Sequence, residues 1–138
     1  MLRVRPNSGK PIRTFTKQGK VFKTGLTVSK MKKEETILNL GLSYTPSFVK
    51  RTSKFICMSF LQNAHDFKGK RGMYPRLRKM GRRFHTDTGF HHGDLNPMNI
   101  LYESKKQKWY LVDFEKIYKS DVPCGRRTCR CYPNSKTK

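Results

Sequence analysis

Residues 91–115, HHGDLNPMNILYESKKQKWYLVDFE, constrain the fold more than any other part of this 138-residue chain. Two apolar stretches, Asn99 to Glu103 and Trp109 to Phe114, flank the polar run Ser104 to Lys108. That apolar, polar, apolar order predicts a β-hairpin. His92, Asp94 and Asn99 precede it in H-x-D-x-x-x-x-N order, and Asp113-Phe114 follows Asn99 by fourteen positions. Each polar residue taken alone has an ordinary explanation: Asp94 as a turn residue, Asn99 as a strand cap, Asp113 as a buried, satisfied acid. The joint spacing argues against that set of coincidences.

The rest of the chain alternates short strand and helix patterns. Leu2 to Arg5, Ile12 to Thr16 and Lys20 to Lys23 are separated by the turn sequences Asn7-Ser8-Gly9 and Gln18-Gly19, which predicts a three-stranded antiparallel meander. Met31, Glu34, Ile37 and Leu38 recur at helical spacing, so a helix is expected over Ser29 to Leu40 with Gly41 as its stop. Strands follow at Phe48 to Arg51 and Lys54 to Leu61. Leu77, Met80 and Phe84 form the apolar stripe of a second helix, Tyr74 to His85.

Charge is the compositional outlier. Thirty-one Lys and Arg against nine Asp and Glu give +22. The bases gather in three acid-free blocks: ten in residues 1–33, eight in 68–83 and five in 124–138. A solvated face explains one such block; three favour a functional electrostatic surface toward an acidic protein substrate, a partner chain or nucleic acid. No run approaches the ~20 apolar residues of a membrane span and the first residues lack a signal-like apolar block, so no span and a cytoplasmic or nuclear location, in a host cell if the source is viral, are expected. Cys57, Cys124, Cys129 and Cys131 are spaced irregularly for a disulfide framework or a zinc site, which leaves reduced thiols. His85, His91 and His92 lack spaced acidic or thiol partners, so packing or solvent-facing roles are expected.

The H-x-D-x-x-x-x-N loop running through a hairpin to Asp-Phe resembles the catalytic and metal loops of the protein-kinase-like superfamily. The resemblance covers residues 10 to 120 and is most specific at 91–115. It implies an α+β fold, with a small antiparallel-sheet lobe over about 1–62, a catalytic segment over about 63–120, and a basic, Cys-containing tail at 121–138. It also implies ATP and Mg²⁺. Asp94 would orient the substrate hydroxyl or accept its proton, His92 would brace the loop in the same catalytic set, and Asn99 and Asp113 would hold the metal. Upstream, Lys23 resembles the strand lysine that contacts the α- and β-phosphates, and Glu34 its helix partner, with Glu35 the alternative. FICMSFL, residues 55–61, reads on its residues alone as a core strand. By resemblance it runs into the hinge, with Met58 as gatekeeper and Ser59, Phe60 and Leu61 offering backbone groups to adenine.

Several residues depart from the protein-kinase pattern. Gly93 replaces the usual arginine, Asn96 the lysine two positions after the catalytic aspartate, and Glu115 the glycine of Asp-Phe-Gly. HGDLNPMN is closer to RIO-type, aminoglycoside, choline and lipopolysaccharide sugar kinases. Only Asn7-Ser8-Gly9-Lys10 stands where a glycine-rich phosphate loop is expected. Twenty-three residues follow Glu115, so the catalytic lobe is expected to be truncated and completed by a partner chain or a second copy. The function expected is transfer of the ATP γ-phosphate to a hydroxyl, with protein Ser/Thr ahead of a small molecule. The alternative is a weak pseudokinase or kinase mimic that regulates through its basic surface. A plain nucleic-acid binder accounts for the charge but not for residues 91–115.

Overall fold

The computed structural model describes residues 3–7, 10–59, 64–66 and 73–122, with side chains over 13–59 and 74–122. The chain divides into two compact units, Met1–Gln62 and Asn63–Lys138. Among the described residues no helix is long and apolar enough to cross a membrane.

The first unit contains β1 (Arg3–Asn7), β2 (Lys10–Lys17), β3 (Lys20–Thr24), α1 (Val28–Leu38), β4 (Phe48–Arg51) and β5 (Phe55–Ser59). The strands form an antiparallel sheet in the order β1-β2-β3-β5-β4. Gln18 and Gly19 both take positive φ, 53° and 73°, as the tight turn between β2 and β3 requires, and this sets the register Phe15 opposite Phe22. Those two rings stack at 5.4 Å, and Phe55 meets Phe22 edge-on. Residues directly opposite share a face, so Lys23, Ile56, Val21 and Met58 line the other side. Helix α1, which packs against β4 and β5, is capped by Thr27, whose Oγ1 accepts from the Lys30 N–H. Met31, Glu34, Ile37 and Leu38 form its buried stripe. Each apolar side chain fully buried there contributes about 1.5–3 kcal/mol.

The second unit contains β6 (Ala64–Asp66), α2 (Met73–Thr88), β7 (Phe90–His91), a 3₁₀ turn (Pro97–Asn99), β8 (Ile100–Glu103), β9 (Lys108–Leu111) and β10 (Tyr118–Lys119). It forms the sheet β6-β8-β9 and the two-stranded pair β7-β10. Leu77, Met80 and Phe84 of α2 are buried, as are Leu95, Ile100, Leu111, Phe114 and Ile117. The β8–β9 turn is tied by Glu103 Oε1, which accepts from the N–H groups of Lys105 and Lys106.

Element ends differ from the sequence reading for local reasons. Helix α1 stops at Leu38 because Asn39 closes it, its N–H donating to the Glu35 carbonyl, so Leu40 lies outside. Strand β5 is described from Phe55 to Ser59, and Phe60 and Leu61 of the expected strand lie outside the described residues. Helix α2 runs three residues past His85 to Thr88, where Gly89 takes φ +78°. Strand β9 stops at Leu111, short of Phe114, because Asp113 leaves extended geometry with φ +66°.

Candidate functional site

The loop after β7 is held by its shortest residue. Gly93 has φ +83°, and a Cβ built on it would lie 2.1 Å from the Lys116 carbonyl oxygen. Only glycine fits, on conformational and on steric grounds, which explains why no arginine stands there. The loop that carries Asp94 thereby lies directly against the backbone that follows Asp113.

His92 fastens the same two segments from within. Its Nε2–H donates to the Val112 carbonyl at 2.7 Å, and its Nδ1 accepts from the Asp94 N–H at 3.2 Å. Those partners fix a neutral ring. Phe84 and Phe114, stacked on each other at 5.4 Å, meet that ring edge-on. Both ring nitrogens are thus engaged within the protein, and the side chain is fully buried.

Asp94 is almost wholly buried and gripped from two sides. Asn96 Nδ2 donates to its carbonyl at 3.2 Å and its Oδ1 at 3.3 Å; Asn99 Nδ2 donates to the same carbonyl at 2.8 Å and to Oδ2 at 3.3 Å. Asn96 Oδ1 in turn accepts from the Met98 N–H and starts the 3₁₀ turn that delivers Asn99. Lys116 Nζ lies 3.9 Å from Asp94 Oδ2.

Asn99 and Asp113 meet because the hairpin returns. Ile100 pairs with Leu111, the Asn99 carbonyl accepts from the Val112 N–H at 3.0 Å, and Asp113 is the next residue. Since Nδ2 of Asn99 is committed to Asp94, its Oδ1 is left buried with no hydrogen-bond partner among the described residues. An orphaned buried acceptor costs about 1–3 kcal/mol, a cost that a bound cation would offset. Asp113 is a buried carboxylate held in the left-handed region, a strain of about 1–3 kcal/mol of the kind that gathers at functional sites. Among the described residues no three His, Cys, Asp or Glu cluster as metal ligands. One carboxylate and one amide oxygen nevertheless fit Mg²⁺, which takes few protein ligands and fills its shell from phosphates and water.

In the first unit, Lys23 Nζ pairs with Glu34 Oε1, both side chains buried. Glu35, one position on, points elsewhere and pairs with Arg51 at 2.5 Å. Met58 is buried on the face it shares with Lys23. Ser59 is committed to the sheet edge: its N–H donates to the Ser47 carbonyl and its Oγ accepts from the Ser47 N–H. Phe60 and Leu61, Ser8 and Gly9 of the segment where a phosphate loop was expected, and Cys124, Cys129 and Cys131 lie outside the described residues.

His85 and His91 have packing roles. Their rings stack at 4.1 Å, and His91 stacks on Tyr118 at 5.0 Å. The sequence marks Gly93 and Asn96 only as departures from the protein-kinase pattern, and does not mark Lys116 at all. Asn-Pro ahead of Asn99 carried a capping signal for Asn96, whereas nothing local marked Lys116.

A model of the lipopolysaccharide kinase (Kdo/WaaP) family matches residues 57–127, a little over half the chain. No curated protein matches. Among solved structures the chain is similar to WbdD bound to the kinase inhibitor LY294002, with TM-score 0.60 and 17% identity over 88% of this chain and 33% of that one. It is similar to Rio2 kinase from Chaetomium thermophilum in an ADP/Mg²⁺-phosphoaspartate complex, with TM-score 0.60 and 18% identity over 88% and 49%. A further match is the bifunctional kinase-methyltransferase WbdD, with TM-score 0.57 and 17% identity over 79% and 30%. The α+β fold is therefore protein-kinase-like, and the chain spans between about a third and a half of each structure it matches.

Proposed function

The chain belongs to the lipopolysaccharide kinase (Kdo/WaaP) family, and we propose from that premise that it transfers the γ-phosphate of ATP to a substrate hydroxyl. The observation that carries this reading is the buried Asp94 carboxylate, fixed by Asn96 and Asn99, beside the unpartnered Oδ1 of Asn99. Asp94 accepts the hydroxyl proton as the acceptor oxygen bonds to phosphorus. The bond from phosphorus to the β–γ bridging oxygen breaks, and its electron pair leaves on ADP. Mg²⁺, held by Asn99 Oδ1 and the Asp113 carboxylate, would neutralise phosphate charge when bound; the ADP/Mg²⁺ complex of Rio2 supports that cofactor set. Lys23, kept in place by Glu34, contacts the α- and β-phosphates. Positioning and electrostatics are nearly all that phosphoryl transfer asks of a protein.

The acceptor is a sugar or a protein hydroxyl. The acid-free basic blocks favour protein Ser/Thr, and membership of a lipopolysaccharide kinase family favours a sugar equally. Two measurements test the proposal. ATP with Mg²⁺ should raise the melting temperature, and ATP with EDTA should not. Label from [γ-³²P]ATP should then pass to either a lipopolysaccharide core oligosaccharide or dephosphorylated casein, and the labelled arm names the class. Absence of any Mg-dependent shift removes the nucleotide reading, and a shift without transfer to either acceptor replaces the enzyme with a pseudokinase.

A further inference from the structure

We infer that Lys116 is the cation that meets the transferring phosphoryl group, an assignment that rests on the kinase reading above. As phosphorus passes between two oxygens, negative charge spreads over its three equatorial oxygens, and here it does so beside the Asp94 carboxylate. A positive group is needed at that point. The residue two positions after Asp94 does not supply it. Asn96 is neutral, and both ends of its amide are spent, Nδ2 on Asp94 and Oδ1 on the Met98 N–H.

Lys116 does supply it. Its Nζ lies 3.9 Å from Asp94 Oδ2. Its backbone is fixed there by the close approach of Gly93, which leaves no room for a Cβ against the Lys116 carbonyl. Its side chain is 48% exposed while that of Asp94 is 8% exposed, so the lysine is open to solvent beside a carboxylate that is not. An ion pair this long and this open to water adds little to stability, so the fold does not account for its placement. A lysine ammonium is a compact, mobile charge well suited to phosphate oxygens. During transfer the hydroxyl proton goes to Asp94 and the leaving electron pair to ADP; Lys116 keeps its protons and contributes only charge.

The test is a binding measurement on the full chain that needs no acceptor. Titration calorimetry compares Mg-ADP with Mg-ADP plus aluminium fluoride, which mimics the phosphoryl group in transit. Lys116→Met should weaken binding of the mimic about 10- to 100-fold and leave Mg-ADP affinity unchanged. Lys116→Arg, which retains the charge, should restore most of the loss. If Lys116→Met leaves mimic binding intact, or weakens Mg-ADP equally, the assignment is overturned while the kinase reading stands. Wild-type protein that binds no Mg-ADP overturns both.

Discussion

A methyl group at residue 93 would lie 2.1 Å from the Lys116 carbonyl oxygen, forcing apart the loops that carry Asp94 and Asp113. Gly93→Ala should therefore lower unfolding stability by about 1–3 kcal/mol or more and shift the urea midpoint down with an unchanged slope. A wild-type midpoint would mean that the contact yields easily. Asp113 presents the opposite case, because asparagine also tolerates the left-handed region at φ +66°. Asp113→Asn should keep the apo fold and lose the charge that draws Mg²⁺. At ligand 100-fold above Kd, about 2.7 kcal/mol of Mg-ATP stabilisation should disappear. An undiminished Mg-ATP shift would exclude Asp113 as a ligand. The spacing of His92, Asp94 and Asn99 was legible because eight consecutive residues hold it. The contacts of Lys116 with that loop were not, since they arise only when the chain returns from the hairpin.

At the scale of elements, helix α1 shows how one residue of register separates two roles. Met31, Glu34 and Leu38 share a stripe, and Glu34 lies buried on Lys23 while Glu35 turns about 100° away to a partly exposed Arg51. Glu34→Gln should cost about 3–5 kcal/mol, because it strands a buried ammonium beside a neutral partner. Glu35→Gln should cost no more than about 1 kcal/mol. Thermal melts of the two variants measure the difference, and a larger loss at Glu35 would reassign the pair. That stripe and the β8–β9 hairpin were readable because each spans several periods of its own pattern. Strands β6, β7 and β10 have three, two and two residues and offer no alternation to read. The end of β9 was misplaced because the apolar run continues through Phe114 while the backbone turns at Asp113.

At the scale of the whole molecule the net charge is +22, and among the described residues of the second unit burial sharpens it. In the second unit Asp94, Glu103, Asp113 and Glu115 are buried, whereas Lys79, Arg82, Arg83, Lys105, Lys106, Lys116 and Lys119 are exposed. Those four acids are drawn inward to the loop and the hairpin while Asp87 and Asp121 stay exposed, and these cations are left to meet solvent. Affinity for heparin should therefore fall steeply with salt, and Arg82→Glu with Arg83→Glu should flatten the slope of log K against log salt. A slope already flat in wild type would assign the charge to solubility. The basic blocks and the kinase-like loop were both visible in the sequence; the burial of Asp94, Glu103, Asp113 and Glu115 required the fold. The proposed transfer depends above all on Asp94, and the most direct measurement is the rate of γ-phosphate transfer by Asp94→Ala at saturating Mg-ATP, with the melting shift recorded on the same sample. The prediction is a loss of about 10²- to 10⁴-fold with the Mg-ATP shift retained. Transfer at the wild-type rate would contradict it.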